Sequence, residues 1–172
     1  IAGVATAAHA VKPDVEVVGV QTTRFPSMSA ALRGEVPRFG VSTIADGIAV
    51  KSPGQLTQPI IAALVRDVLL VEEDDIEQAV LCLLEVEKTL VEGAAAACLA
   101  AVMAHRSRFE GRRVGLVLSG GNIDPLLLAG IIERGLVRTG RLTRITVEIA
   151  DRPGALAEVT ECLASLNANI EE

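Results

Sequence analysis

The chain has 172 residues, 50% of them hydrophobic, enough for one ordinary domain or one and a fraction with a sizeable core. A formal charge of −6 and a pI near 5.0 argue against a nucleic-acid surface, and no Trp, no Tyr and only three Phe leave no aromatic platform for stacked bases. The longest apolar stretch, residues 93–104, is too short to span a bilayer and no signal peptide opens the chain, so neither membrane nor nucleic acid is expected as a partner.

Residues 1–11 are small or apolar at nearly every position, which predicts a buried helix stopped by Lys12-Pro13. Residue 1 is Ile, inside a helical pattern already under way, which suggests a fragment. Residues 15–20 are short, β-branched and mostly apolar, as an interior parallel strand should be, and Gln21 to Thr23 fall at its carboxyl end. Residues 26–33 form a short helix closed by Gly34, and 40–54 are mostly loop. Thr57 caps the next helix, which has Pro59 in its first turn and runs to Arg66. Residues 68–71 read as a second strand. Asp74 and Glu77 have capping-box spacing ahead of a helical repeat, Ile76, Ala79/Val80, Leu83/Leu84 and Val91.

Residues 93–104 form a helix of small residues suited to close helix–sheet approach. Residues 114–118 read as a third strand and 126–133 as a closing helix. Strand and helix alternate, so the fold class is α/β, a parallel sheet with helices on both faces. After Gly135 the pattern changes. Residues 136–141 are a short basic connector. Residues 145–149 alternate like a half-exposed strand, Asp151 to Gly154 turn, and 155–166 form an amphipathic helix with Leu156, Val159, Leu163 and Leu166 on one side. Cys82, Cys98 and Cys162 are far apart on apolar helical faces, as buried free thiols in a reducing cytosol, which argues for a cytoplasmic protein. His9 and His105 are solitary, no metal-ligand spacing occurs, and no metal is expected.

Chemistry concentrates in Ser119-Gly120-Gly121-Asn122, directly after the third predicted strand. Ligands of open parallel sheets sit at the carboxyl ends of strands, and glycines there permit close backbone approach. The same tetrapeptide also reads as an ordinary strand-to-helix turn with Asn122 or Asp124 as the cap. Context favours the ligand reading. The string LVLSGGNID, with TIADGIAVKSPG upstream and EGAAAACLAAV between them, resembles the threonine dehydratases, pyridoxal-phosphate (PLP) enzymes of the tryptophan-synthase-β fold type.

That resemblance implies a three-layer PLP fold type II, here partial, over residues 1–135. It implies PLP as cofactor, with Ser119 at the pyridine nitrogen, Gly120 and Gly121 leaving room beside the ring and Glu92 next to it. Asp46 and Gly47 of the TIADG string would face the substrate amino acid. Two of these residues carry plainer readings as well: Glu92 is favoured at a helix N-terminus by the macrodipole, and Asp46 suits a turn. Some related racemases coordinate a cation after the first strand through acids; those positions read Gln21 and Ser27 here, which speaks against a metal and against racemase chemistry. The family's Schiff-base lysine lies in an SFKxRG-like motif that this sequence lacks, and Lys12, Lys51 and Lys88 are not in such a setting. The glycine-rich phosphate loop is missing too, and would immediately precede Ile1, at the amide end of the first helix. No catalytic residue is therefore assigned, and the chain alone is expected neither to bind PLP covalently nor to turn over threonine.

Residues 143–172 resemble the opening of an ACT domain, a ferredoxin-like amino-acid-binding module, joined through a 136–142 linker. The resemblance implies an incomplete, frayed module in which Asp151, Gly154 and Asn169 meet an amino-acid effector. The intact protein is then expected to be an allosteric, homo-oligomeric ammonia-lyase of isoleucine biosynthesis. The rivals are a serine dehydratase or racemase on the same scaffold, and a non-catalytic amino-acid-binding regulator.

Overall fold

A computed structural model describes residues 1–170. Helix α1 (Ala2–Val11) ends at Lys12, before Pro13. It buries Ala2 and Ala5 while Val4 and Val11 stand exposed, so the expected buried helix is buried along one face only. Strand β1 (Val18–Thr22) pairs in parallel with β2 (Asp67–Val71), from Val18 opposite Asp67 to Thr22 opposite Val71. The ladder starts later than residue 15 because its partner begins at Asp67; Val17 instead accepts a bond from the Arg66 amide at 2.8 Å.

Between the strands come α2 (Ser27–Arg33), closed by left-handed Gly34, a loop with a 3-10 turn (Asp46–Ile48), and α3 (Thr57–Leu64). Thr57 does not cap α3. It lies inside the first turn, and its Oγ1 donates to the Gly54 carbonyl at 3.2 Å. One apolar cluster joins Ala2 and Ala5 of α1 to Ile61 of α3, to Val65 just after that helix and to Val68 of β2. The other joins Leu69 and Val71 of β2 to the helices that follow, giving helix, sheet and helix in three layers.

Helix α4 (Glu73–Glu85) opens with a capping box, but Glu72 and Asp75 form it, not Asp74 and Glu77. Val91 lies beyond this helix, the one buried residue of an otherwise largely exposed connection to α5 (Gly93–Ala104). Five alanines of α5 are buried, and the short α6 (Arg106–Phe109) follows. Glu77, only 9% exposed, is gripped by Arg134 through bonds of 2.7, 3.0 and 3.2 Å and by Arg138 at 3.3 Å. The Glu77 bond pushes the Arg134 guanidinium above its usual value. Both arginines belong to α7 (Pro125–Arg138), which continues through the first residues assigned above to the connector. Their i, i+4 spacing aims both side chains at one carboxylate, and this extends the helix.

The third predicted strand is the main departure. Residues 113–123 form no ladder, and Val114, Leu116, Val117 and Leu118 are 37–61% exposed. A β-branched apolar run makes a strand only against a partner, and the described sheet contains β1 and β2 alone. Residues 145–149 likewise have no ladder, and α8 (Ala155–Ser165) leaves Leu156 and Leu166 exposed, although Ala155 is buried. With so little packed on α8, Cys162 is exposed, contrary to the expectation of three buried thiols; Cys82 and Cys98 are half-buried.

Candidate functional site

The site is organised by Glu92, the residue before α5. Its amide donates to the Gly120 carbonyl at 3.1 Å and its Oε2 accepts from the Asn122 amide at 3.1 Å, so one residue holds the 120–122 loop by main chain and side chain. This placement needs glycine. A methyl on Gly120 would lie 2.9 Å from Glu92 Oε2 and closer to Oε1, and one on Gly121 would lie 3.0 Å from the Leu90 carbonyl oxygen. On the other side, a methyl on Gly47 would meet Ala94 Cβ at 3.1 Å and Glu92 Oε1 at 3.4 Å. The carboxylate therefore lies between Gly47 and Gly120, two segments far apart in sequence.

Ser119 stands at the edge of this contact, exposed, with its hydroxyl in no hydrogen bond among the described residues. Asp46 is exposed and accepts from the Gly47 amide at 2.7 Å, so its turn role is realised. Asp124, not Asn122, caps α7, its Oδ1 accepting from the Leu126 and Leu127 amides at 2.9 Å. The turn and ligand readings of the tetrapeptide are thus compatible, because different residues serve them.

Ser119, Gly120, Gly121, Glu92 and Gly47 come together; the residues singled out in the tail do not join them. Gly154 takes φ 89° just before α8, while Asp151 and Asn169 are exposed. Lys12, Lys51 and Lys88 are all exposed, and Lys88 donates to the Glu85 carbonyl. Gln21 donates to Ser27 Oγ at 3.3 Å and accepts from the Ser29 amide at 2.9 Å, using its amide internally. Among the described residues no group of three His, Cys, Asp or Glu could hold a metal ion. Within α5, the Cys98 thiol donates to the Ala95 carbonyl, and burial pushes its pKa up.

Sequence reasoning missed Glu73. Its Oε1 accepts from Thr22 Oγ1 at 2.9 Å and Thr43 Oγ1 at 2.6 Å, and its Oε2 from the Ile44 amide at 2.9 Å. In sequence it is one acid in the run Glu72 to Asp75, which helix electrostatics alone explain. A cleft of about 360 Å³ beside it is lined by Arg24, Ser42, Thr43 and Leu127, and not by Ser119.

Residues 1–120 match the family model described as pyridoxal-phosphate dependent enzyme. The chain belongs to the pyridoxal-phosphate dependent enzyme family. Its relatives in sequence include an L-threonine ammonia-lyase of Thermotoga maritima, 45% identical over 99% of this chain and 43% of that protein. A second L-threonine ammonia-lyase, of Geobacter sulfurreducens, is 46% identical over the same shares. Among solved structures, a T.th. threonine deaminase superposes with a TM-score of 0.66 at 36% identity, over 72% of this chain and 46% of that one. Maize serine racemase has the same TM-score at 28% identity, over 81% of this chain and 44% of that one. This PLP-family chain thus spans less than half the length of the curated relatives it matches. No helix among the described residues is long and apolar enough to cross a membrane.

Proposed function

We propose that this chain supplies one wall of the PLP site of a threonine dehydratase, which converts L-threonine to 2-oxobutanoate and ammonia. The observation that carries this reading is the convergence of Ser119, Gly120, Gly121, Glu92 and Gly47 at the end of the 114–118 segment. The residues fit the cofactor as a wall: a free hydroxyl, two residues without side chains beside it, and a carboxylate already occupied by the Asn122 amide. The relatives named L-threonine ammonia-lyase, 45–46% identical across 99% of the chain, support the substrate.

When bound, PLP supplies the electron sink that lets an amino acid lose its α-proton and β-hydroxyl. The protein's part is orientation. Ser119 would meet the pyridine nitrogen with a neutral hydroxyl, which does not hold that nitrogen protonated as a carboxylate would; a weaker sink suits elimination better than transamination. Glu92 would hold the 120–122 loop so that Ser119 keeps its place. Gly47 would offer its backbone on the substrate side, with Asp46 holding the turn. The residues beyond 142 are proposed as the start of an ACT module in which Asp151, Gly154 and Asn169 meet an amino-acid effector. The protein is proposed to be cytoplasmic and oligomeric.

A serine dehydratase or racemase is the second reading, supported by the equal TM-score of maize serine racemase. The test is the complete polypeptide that carries this chain, purified with PLP and supplied separately with L-threonine and L-serine. Release of 2-oxobutanoate in preference to pyruvate or D-serine is expected, and Ser119→Ala should alter the cofactor's absorbance as well as the rate. A protein that binds amino acids but neither takes up PLP nor turns them over is the binding regulator, and the proposal fails.

A further inference from the structure

Glu73 opens α4, yet its carboxylate serves two other segments. It takes the hydroxyl of Thr22 at the end of β1, and the Thr43 hydroxyl and Ile44 amide of the following loop. Arg24 Nε adds an ion pair at 3.9 Å, and the Glu73 side chain is 15% exposed. The neighbouring Glu72 takes the hydroxyl of Thr23 at 2.8 Å, so both turns at the strand ends are stitched together. A carboxylate accepts several donors at once, and bonds to a charged acceptor are stronger than neutral ones.

The hold passes along the loop. Thr43 Oγ1 also accepts from the Ala45 amide at 3.1 Å, and Ala45 is fully buried. The main chain at Ile44 and Ala45 lies directly against Gly93, where a methyl would sit 2.7 Å from the Ile44 carbonyl carbon and 3.1 Å from the Ala45 nitrogen. Gly93 adjoins Glu92, whose carboxylate lies between Gly47 and Gly120. Glu73, the 43–47 loop, Gly93, Glu92 and the 120–122 loop therefore form one continuous series of contacts.

We propose that Glu73 is a positioning residue for the substrate side of the site: by holding Thr43 and Ile44 it sets residues 45–47 against Glu92 and fixes their spacing from the Ser119 loop. A plainer role, an acid favoured at a helix start, predicts only a small loss of helix stability when the charge is removed and no local effect on the loop. The substrate half of the inference rests on the dehydratase reading; the hold on the loop does not.

The test uses Glu73→Gln and Thr43→Val in the complete polypeptide, with two readouts. Gln keeps one acceptor oxygen but brings donors towards groups that already donate. Amide hydrogen exchange in the 41–50 peptide is expected to accelerate about tenfold in either variant, while the peptide covering Gly93–Ala104 changes less than about twofold. The double variant should add little to the larger single effect, because both remove one shared interaction. Thr43→Ser, which keeps the hydroxyl, should restore the slow exchange. KM for L-threonine is expected to rise about tenfold in Glu73→Gln with kcat within about threefold. Unchanged exchange at 41–50, or equal acceleration in the Gly93–Ala104 peptide, overturns the hold on the loop. Faster loop exchange with an unchanged KM overturns its role towards substrate. Wild-type protein that makes no 2-oxobutanoate sinks the dehydratase reading, and the exchange data still decide the hold.

Discussion

Gly93→Ala separates helix propensity from packing, because the two predict opposite signs. Replacing glycine by alanine inside a helix ordinarily stabilises by up to about 1 kcal/mol. Here the new methyl would meet the Ile44 carbonyl and lie 3.1 Å from the Ala45 nitrogen. Those are backbone atoms, and the Ile44 amide is held by Glu73 at 2.9 Å, so no side chain can swing away to make room. Forcing a methyl into a filled site costs roughly 1–3 kcal/mol, and displacing the loop also weakens a charge-assisted bond valued at about 1.5–3 kcal/mol. The net expectation is a destabilisation of roughly 2–5 kcal/mol. In urea unfolding of the complete polypeptide this should lower the midpoint while leaving the slope unchanged. Gly120→Ala is the matched control, since its clash is with the end of the Glu92 side chain, which can rotate; it should cost about 1 kcal/mol or less while releasing the Asn122 amide. A Gly93→Ala variant as stable as wild type, or more so, would refute the packing argument.

Three further outcomes follow from the described contacts. Asp124→Ala removes the oxygen that takes the Leu126 and Leu127 amides and should destabilise by about 1 kcal/mol in the same urea assay, with Asp124→Asn recovering most of it. Arg134→Ala leaves the buried Glu77 with Arg138 alone and should cost about 1–3 kcal/mol; Arg134 is half exposed, which keeps the value below that of a fully buried pair. Since burial raises the Cys98 pKa, the neutral thiol it favours contributes stability that is fully present below the unfolded-state value of about 9.0 and is lost as pH rises through the higher folded value. Thiolate-directed alkylation at pH of about 8 should therefore modify exposed Cys162 well before Cys98, as read by peptide mass mapping; equal rates would contradict the burial.

The sequence carried most of the helices and both paired strands, because their periods of apolar residues and their breakers are local properties, although it ran the α4 repeat on to Val91, closed α7 at residue 133 and did not announce α6. Gly34 and the Pro125 start of α7 are examples. It failed where an outcome depends on a distant partner. Residues 114–118 have strand composition and no ladder; Glu77 has capping-box spacing and instead binds Arg134. The site shows the same division. Ser119, Gly120 and Gly121 announce themselves as a motif, and Glu92 as an acid before a helix. That Glu92 touches Gly120 and Gly47, and that Glu73 holds Thr43 and Ile44, requires bringing together segments far apart in sequence, which no local pattern encodes.

Helix α5 offers no solvent-facing side until its last residues: from Gly93 to Val102 every position is buried or half-buried, most of them alanine. Most helices have an outer stripe where bulk is tolerated, so random substitution finds safe positions every turn or so. Along these ten residues it should find almost none. A saturation library of this protein would then show an unbroken intolerant band here, bounded sharply at Met103, in contrast to the alternating tolerance expected along α8.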